Sequence, residues 1–280
     1  MYTLGGTDGS KNFKNFLSQP SSLERAAKTA VTVVKRYNFD GIDIDWEFPE
    51  TEEEAVYLVN FIKKIREYMG YSRILTISTS ALISRYYGHT TEMEPYLDWF
   101  NLMTYHYSGF WNKYSGHNAP LYPPTNDKNH QKNSDYTVKS YLDEGIPANK
   151  LVLGACFLGQ AWKVESTEDE GYNQIGDAKI EGEPDNDNME GHWSYRSLRQ
   201  QGFLTDKKTT SSDWTRTWHD DVKSPTILNK KTGIYISYDD VDSMCERSKY
   251  VKNKKIGGIM VWELGQDYEN ELLNSILSCY

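Results

Sequence analysis

Residues 40–47 read DGIDIDWE, and this stretch decides which fold the sequence predicts. Acidic and apolar residues alternate along it, which is typical of a β-strand whose side chains point to opposite faces. Three carboxylates share one face, namely Asp43, Asp45 and Glu47. Three apolar side chains share the other, namely Ile42, Ile44 and Trp46. We expect the apolar face to pack against helices and the acidic face to point to the opposite side, which is the interior of a closed barrel.

The row of three carboxylates indicates acid–base chemistry. Burying like charges side by side opposes their ionisation, so at least one of the three pKa values should rise, with proton sharing as the relief. A carboxyl group that stays protonated at neutral pH is what a general acid requires. Three other interpretations remain open from the residues alone: a solvated edge strand, a hard-cation site with oxygen ligands, and a structural charge network without catalysis.

The rest of the chain alternates strands with helices. Short runs of branched and aromatic residues predict five buried strands, at 39–47, 73–81, 99–105, 150–157 and 256–262. Helical periodicity predicts helices at 23–37, 52–68, 135–144 and 240–251. We expect Ser21 or Ser22 to cap the first helix. We expect Gly70 to end the second, whose apolar stripe consists of Val56, Val59, Ile62 and Ile65. Such alternation implies parallel strands with helices packed outside.

Two segments break this alternation. Residues 161–238 contain charged and polar loops with scattered aromatic runs and no clear strand–helix unit. We predict that they form a small α+β lobe, inserted into a catalytic domain made of residues 1–160 and 239–280. The second segment, 105–133, is a long loop rich in Tyr, Trp, His, Asn and Pro. Long loops after strand ends are where α/β enzymes build their sites.

Composition and charge exclude several classes of function. The 280 residues carry a formal net charge of −9, which argues against a nucleic-acid partner because such a partner requires a basic face. No run of 18 apolar residues occurs, so we expect no membrane span. The histidines show no metal-ligand spacing and no cofactor-binding motif occurs, so we expect neither metal nor cofactor. One pair of the three cysteines could form a disulfide, without the pattern indicating which: Cys156, Cys245 and Cys279.

The stretch at 40–47 resembles the DxxDxDxE signature of family 18 glycoside hydrolases, the chitinases. Further segments resemble other landmarks of that family, in the same order along the chain: residues 4–6, 101–105, 151–154, 237–239 and 257–263. The resemblance covers nearly the whole chain. It implies a (β/α)8 TIM barrel with its site at the carboxyl ends of the strands, and an α+β lobe inserted between strands seven and eight.

The resemblance also implies roles for individual residues. Enzymes of this family use the acetamido group of the substrate in place of a second carboxylate. Glu47 would protonate the glycosidic oxygen and later activate water, Asp45 would hold the acetamido N–H, and Asp43 would share a proton with Asp45. The implied substrate-binding residues are Tyr105 at the acetamido carbonyl, Met103 in the same pocket, Trp262 under the distorted sugar, and His106.

The sequence departs from the family pattern at several positions. The first two barrel strands have no counterpart, so we expect an N-terminally incomplete barrel whose full form extends upstream. Thr3 replaces a Ser that hydrogen-bonds the deepest acid, and we expect its hydroxyl to reach Asp43. Thr7 replaces a Trp beside the sugar cleft. His106 replaces an Asp, and we expect it to add a group that titrates near pH 6.5.

We therefore predict a chitinase that cleaves β-1,4 linkages between N-acetylglucosamine units with retention of configuration. We expect a monomer in an extracellular setting, the latter inferred from the polymeric substrate alone. Two other functions remain open: a chitinase-like lectin that binds chitooligosaccharides without cleaving them, and an endo-β-N-acetylglucosaminidase acting on N-glycans. Glu47 argues against the lectin, because such relatives usually lose this residue. Trp262 and the inserted lobe favour chitin, since a lobe builds one wall of a long groove.

Overall fold

A computed structural model describes residues 1–125, 130–178, 180, 182–183 and 190–280. The described chain falls into two compact units. Unit 1 consists of Met1–Met103, Thr137–Leu153 and Lys255–Gly258. Unit 2 consists of Thr104–Tyr136, Gly154–Lys254 and Ile259–Tyr280. The division into a catalytic domain and a lobe at 161–238 stays a prediction.

The elements follow one another as short strands and helices of varied length. The strands are β1 (Tyr2–Gly5), β2 (Gly41–Asp45), β3 (Ile74–Ser80), β4 (Trp99–Met103), β5 (Leu151–Cys156), β6 (Leu158–Val164), β7 (Gly176–Asp177), β8 (His192–Ser194), β9 (Thr215–His219), β10 (Ser224–Asn229), β11 (Ile234–Ser237) and β12 (Gly258–Trp262). The α-helices are α1 (Gly6–Gly9), α2 (Phe13–Leu17), α3 (Pro20–Tyr37), α4 (Glu52–Met69), α5 (Thr90–Met93), α6 (Ser134–Asp143), α7 (Tyr195–Gln200), α8 (Val241–Lys254) and α9 (Glu271–Cys279). Short 3₁₀ helices cover Ser10–Asn12, Ile83–Tyr86, Glu94–Tyr96, Ala148–Lys150, Glu168–Gly171 and Leu264–Gln266.

The first sheet has the strand order β1-β2-β3-β4-β5-β12. Neighbouring strands from β1 to β5 pair in parallel. The strands predicted from the sequence are all present, as β2, β3, β4, β5 and β12. Helices α3, α4 and α6 follow β1, β2 and β4 along the chain, which confirms the predicted α/β class. Within the described ranges, β1 and β12 are the end strands of this sheet.

Helix α3 has the buried apolar face that helical periodicity predicts for residues 23–37, but it begins earlier. Its buried residues are Leu23, Ala27, Ala30, Val31 and Val34. The expected serine cap is wrong: Gln19 occupies the N-cap position without a side-chain hydrogen bond, and Ser21 and Ser22 lie inside the first turn. Pro20 explains the earlier start, because its fixed φ suits the first helical position and it has no N–H to satisfy.

Helix α4 ends at Gly70 as predicted, with the Gly70 N–H donating to Arg66 O at 2.8 Å. Thr51 caps its start by accepting a hydrogen bond from the Glu54 N–H. The predicted stripe is wrong at Val56, which is exposed. The buried face is turned slightly and is carried by Ala55, Leu58, Val59, Phe61, Ile62, Ile65 and Met69.

The apolar face of β2 packs into the core of unit 1, as the alternation predicts. Ile42 and Ile44 are fully buried, and Trp46 is 4% exposed. The Trp46 ring stacks on Phe13 of α2 with a centroid separation of 5.4 Å, and Phe13 meets Phe61 of α4 edge-on. Strand β2 is paired on both sides, with β1 and β3, and its apolar face is buried in an aromatic stack, which excludes the interpretation of residues 40–47 as a solvated edge strand.

Unit 2 contains a second sheet, in the order β7-β6-β11-β10-β9, with β8 also paired to β6. Strand β10 pairs antiparallel with β11 and β9, and β6 pairs antiparallel with β11, β7 and β8. Consecutive residues of its central strands enter two different apolar clusters, as Ile227 and Leu228 do on β10. Both faces of this sheet are therefore covered. The antiparallel sheet and α7 lie between β5 and β12 along the chain, which confirms the predicted insertion of an α+β lobe.

A disulfide joins Cys245 on α8 to Cys279 on α9. It resolves the pairing that the cysteine spacing leaves open. Cys156, at the end of β5, is a buried free thiol, and burial raises its pKa to about 12. No helix in the described part of the chain combines the length and apolar character that crossing a bilayer requires.

Candidate active site

The three carboxylates follow one another along β2 and the turn after it, all inside unit 1. Strand β1 approaches this end of β2 closely, with Gly5 opposite Asp45 in the parallel register. A Cβ atom on Gly5 would lie 1.9 Å from the Asp45 carbonyl oxygen, and Gly5 has φ of +126°. Both facts require glycine here. The pair Gly5-Gly6 therefore lets α1 begin directly beside the acidic end of β2.

Asp43 is the most completely hydrogen-bonded of the three acids. Its Oδ1 accepts from Thr76 Oγ1 at 2.6 Å and from Asn101 Nδ2 at 3.1 Å, and its Oδ2 accepts from Ser78 Oγ at 3.0 Å. The Asn101 amide is oriented by Trp99, whose indole N–H donates to Asn101 Oδ1 at 3.0 Å. Burial raises the pKa of Asp43, and these donors act against that rise.

These donors correct one expectation and supply residues that the sequence reasoning missed. Thr3, expected to reach Asp43, is exposed, and the two hydroxyl donors come instead from β3. A signal for them exists in the sequence, since Thr76 and Ser78 are polar residues two apart, and so on one face, of a predicted buried strand. Choosing between Thr3 and these residues requires the register, which places Asp43 between Thr3 on β1 and Thr76 on β3.

Asp45 carries the largest electrostatic perturbation in the row. The side chain is buried, and its pKa rises to about 7 through burial first, then the charges of Glu47 and Asp43. Its Oδ1 is buried and meets no hydrogen-bond partner among the described residues. The expected rise in pKa is thereby confirmed. Asp45 is the acid of the row that holds a proton close to neutral pH and has an oxygen left for a further donor.

Glu47 is held by two hydroxyl groups from the segment that follows β1. Ser10 Oγ accepts from the Glu47 N–H at 2.8 Å and donates to the Asp45 carbonyl oxygen at 3.1 Å. Thr7 Oγ1 donates to Glu47 Oε1 at 3.2 Å. Burial raises the pKa of Glu47, and the Thr7 hydrogen bond opposes the rise. Glu47 is half-buried, so its carboxyl keeps access to a reacting group.

The raised pKa of Asp45 predicts a stability effect that depends on pH. Between about pH 4 and pH 7 the folded chain holds a proton that the unfolded chain releases, so this group lowers stability as pH rises. Asp45→Asn should raise the free energy of unfolding by roughly 2–4 kcal/mol at pH 8 and change it little at pH 4. Urea unfolding at both pH values measures this. Asp40→Asn, at an exposed acid just before the same strand, is the control. If the free energy of unfolding had the same pH dependence in the Asp45 variant as in wild type, the expectation would be contradicted.

The predicted substrate-binding residues lie at or just beyond the carboxyl ends of strands. Met103 is the last residue of β4 and is half-buried in unit 1. Tyr105 and His106 follow in unit 2, where Tyr105 is 9% exposed. Trp262 is the last residue of β12, also in unit 2, and is 48% exposed. Their roles in substrate binding stay predictions.

His106 does not have the titration that the sequence suggests. Burial, followed by the charge of His192, lowers its pKa to about 4. The imidazole is surrounded by Tyr105, Trp111 and His192, with ring centroids 5.3–6.4 Å away, and its Nε2 lies 4.0 Å from Cys156 Sγ. The residue is therefore neutral at pH 6.5, because its apolar and aromatic surroundings disfavour the charged form.

The hard-cation interpretation gains no support from the geometry. Across the described ranges, no three His, Cys, Asp or Glu side chains form a group suited to hold a metal ion. In the acid row, both carboxyl oxygens of Asp43 already accept hydrogen bonds from Thr76, Ser78 and Asn101. An acid–base site agrees with this arrangement better than a cage of oxygen ligands.

Comparison with known proteins identifies relatives of the whole chain. The family described as "Glycosyl hydrolases family 18" matches residues 1–267. Chitinase A1 of Niallia circulans is 33% identical over 98% of this chain and 41% of its own length. Endochitinase 1 of Metarhizium robertsii is 32% identical over 95% of this chain and 61% of its own length. The chain thus spans about two to three fifths of these relatives.

A solved structure supports the same relationship. The chitinase ChiA74 from Bacillus thuringiensis matches with a TM-score of 0.89 and 30% identity, over 99% of this chain and 49% of that one. The chain therefore has the α/β architecture of the TIM-barrel type, with a lobe inserted before the last strand of its first sheet.

Proposed function

Because the chain belongs to glycosyl hydrolase family 18, we propose that it hydrolyses β-1,4 linkages between N-acetylglucosamine units of chitin or chitooligosaccharides. The observation that carries this proposal is the acid row of β2. Asp45 has a pKa of about 7 and a buried oxygen with no hydrogen-bond partner among the described residues, and Glu47 lies two residues further along the chain on the same face. The names of the matched relatives, which include a chitinase and an endochitinase, favour the same substrate.

Glu47 supplies the proton in this mechanism. Its carboxyl protonates the glycosidic oxygen, while the acetamido oxygen of the substrate attacks C1 of the same sugar and forms an oxazolinium ring. The leaving sugar takes the proton of Glu47, and the resulting carboxylate then accepts a proton from the water that opens the ring. The burial that raises the pKa of Glu47 favours the protonated form that the first step requires.

Asp45 stabilises the positive charge that develops in the ring. Its free oxygen accepts a hydrogen bond from the acetamido N–H, and a donor there favours the carboxylate form. The family resemblance implies that Asp43 shares a proton with Asp45, and Thr76, Ser78 and Asn101 hold Asp43 in place by donating to its carboxyl oxygens. A third carboxylate thus has a use, even though the reaction requires a single general acid.

Substrate contacts are assigned from the family resemblance. Tyr105 hydrogen-bonds the acetamido carbonyl, Met103 lines the same pocket and Trp262 stacks under the distorted sugar. His106 acts as a neutral hydrogen-bonding ring, in agreement with its lowered pKa. We further propose an extracellular, monomeric protein with neither nucleic acid nor membrane as partner, since a polymeric substrate is met outside the cell.

Two fluorogenic substrates with the same leaving group test the reaction. We expect release from a chitobioside and none from a cellobioside, because only the former carries the acetamido nucleophile. The β-anomer should be the first product seen by NMR. Equal cleavage of both substrates would exclude the substrate-assisted mechanism.

The same preparation separates the alternatives. Binding of chitotetraose without cleavage would support the lectin, and release of glycans from an N-glycoprotein without cleavage of chitooligosaccharides would support the endo-β-N-acetylglucosaminidase. Circular dichroism of each sample shows that the chain tested is folded.

A further inference from the structure

The hydroxyl of Thr7 contacts the carboxyl of Glu47, and neither the assignment of Glu47 as acid nor the family match explains this contact. Thr7 is the second residue of α1, two residues after the end of β1 at Gly5, and its Oγ1 is 3.2 Å from Glu47 Oε1. Ser10, three residues later, binds the main chain of Glu47 and not its side chain. The two hydroxyls therefore fix different parts of one residue.

We propose that Thr7 is a positioning residue for Glu47, whose hydroxyl occupies Oε1 and so leaves Oε2 to carry the proton delivered to substrate. The inference rests on the proposed function, since that function makes Glu47 the acid. A hydroxyl donor binds the unprotonated oxygen of a carboxyl group, because the protonated oxygen is the weaker acceptor. Thr7 thereby selects both the rotation of the carboxyl and the oxygen that bears hydrogen.

The surroundings of Glu47 make this contact influential. Asp45, the last residue of β2, interacts electrostatically with Glu47. From the 3₁₀ helix Ile83–Tyr86, the Tyr86 phenol interacts with Glu47 and Asp45, and the Arg85 guanidinium lies over the neighbouring Phe48 ring. On α1, the exposed Asp8 pairs with Lys11 at 2.8 Å.

The direction of the effect follows from the chemistry of the donor. A hydrogen bond to Oε1 stabilises the carboxylate, so it holds the pKa of Glu47 below the value that burial alone would set. Removing the hydroxyl should raise that pKa and let the carboxyl rotate. The first effect moves the alkaline limb of the pH profile upward, and the second lowers kcat because fewer carboxyls present Oε2 correctly.

Thr7→Val, Thr7→Ser and a control, Thr29→Val, test the proposal. Val has the shape of Thr without the hydroxyl, and Ser keeps the hydroxyl. Thr29 lies on α3, where its hydroxyl donates to Arg25 O. For Thr7→Val with a fluorogenic chitobioside we expect kcat to fall about 3–10-fold with KM within twofold. The alkaline limb should move up by about half a pH unit. Ser should restore wild-type values, and the Thr29 variant should match wild type.

A direct titration makes the test independent of hydrolysis. The Glu47 carboxyl resonance, assigned by its loss in Glu47→Gln, is followed against pH in each Thr7 variant by ¹³C NMR. A pKa that rises in Val and returns in Ser supports the contact even if no substrate is cleaved, and in that case the proposed function alone fails. A Val variant with unchanged titration and kcat, or a Ser variant that behaves like Val, would overturn the role of Thr7.

Discussion

Glu47→Gln should lower the hydrolysis of a fluorogenic chitobioside by about 10²–10⁴-fold, the usual contribution of a general acid. Gln has the size of Glu but can neither give a proton to the leaving group nor accept one from the attacking water, so both steps of the reaction slow. The variant should still fold, because Ser10 holds the main chain of residue 47 and Thr7 can donate to the amide oxygen as it does to Glu47 Oε1. The measurement is kcat/KM, with chitotetraose binding followed by calorimetry.

Glu50→Gln is the matched control for this loss. Glu50 is exposed, lies three residues beyond Glu47, and uses its main-chain N–H to reach Glu54 Oε2. We expect its activity to stay within twofold of wild type. Loss of activity in the Glu47 variant with binding retained identifies the proton donor. A Glu47 variant that keeps more than a tenth of wild-type activity would require another acid.

Arg247→Met should lower the free energy of unfolding by about 3–5 kcal/mol, the cost of leaving a buried charge without its partner. Arg247 on α8 and Asp239 are each 1% exposed at the side chain, and Arg247 Nη2 lies 3.3 Å from Asp239 Oδ1. The guanidinium also donates to Ala119 O and to Ser134 Oγ. The variant loses these bonds together, and thermal or urea unfolding measures the cost.

Two further variants show whether the cost is that of an isolated charge. Lys249→Met removes an exposed cation on the same helix, which pairs with Glu246, and should cost less than about 0.5 kcal/mol. The double variant Arg247→Met with Asp239→Asn should be more stable than Arg247→Met alone, since the orphaned carboxylate is gone. A single variant that costs under 1 kcal/mol, or a double variant with no recovery, would contradict this account.

The buried pair also supports the loop that carries His106. Arg247 donates to Ala119 O. The preceding residue, Asn118, hydrogen-bonds both His106 and Leu158 within unit 2. Asn118 Oδ1 accepts from the His106 N–H at 3.2 Å, and its Nδ2 donates to Leu158 O at 2.7 Å. Weakening the pair should therefore loosen the segment around His106 before the remainder of unit 2.

The alternation of residues 40–47 was enough to predict the strand, its two faces and the rise in carboxyl pKa. The strand and its two faces depend on neighbours within a few residues, because a strand directs consecutive side chains to opposite faces whatever surrounds it, whereas the size of the pKa rise depends on burial by other segments. The order of strands and helices was predictable for a similar reason, since the periods of 2 and 3.6 residues are written in the local pattern. The helix start at Pro20 and the exposure of Val56 could not be predicted in this way, because a shift of one residue turns the buried face of a helix by a large angle.

Tertiary structure decided what surrounds each acid. Thr76, Ser78 and Asn101 are 33–58 residues from Asp43 along the chain and reach it through the register of parallel strands, which no local pattern specifies. The neutral state of His106 depends on burial among rings from other segments, and the Cys245–Cys279 bond depends on two helices lying together. The sequence thus determined which groups could do the chemistry. Long-range packing determined their hydrogen-bond partners and dielectric surroundings, and these set the protonation states that the reaction uses.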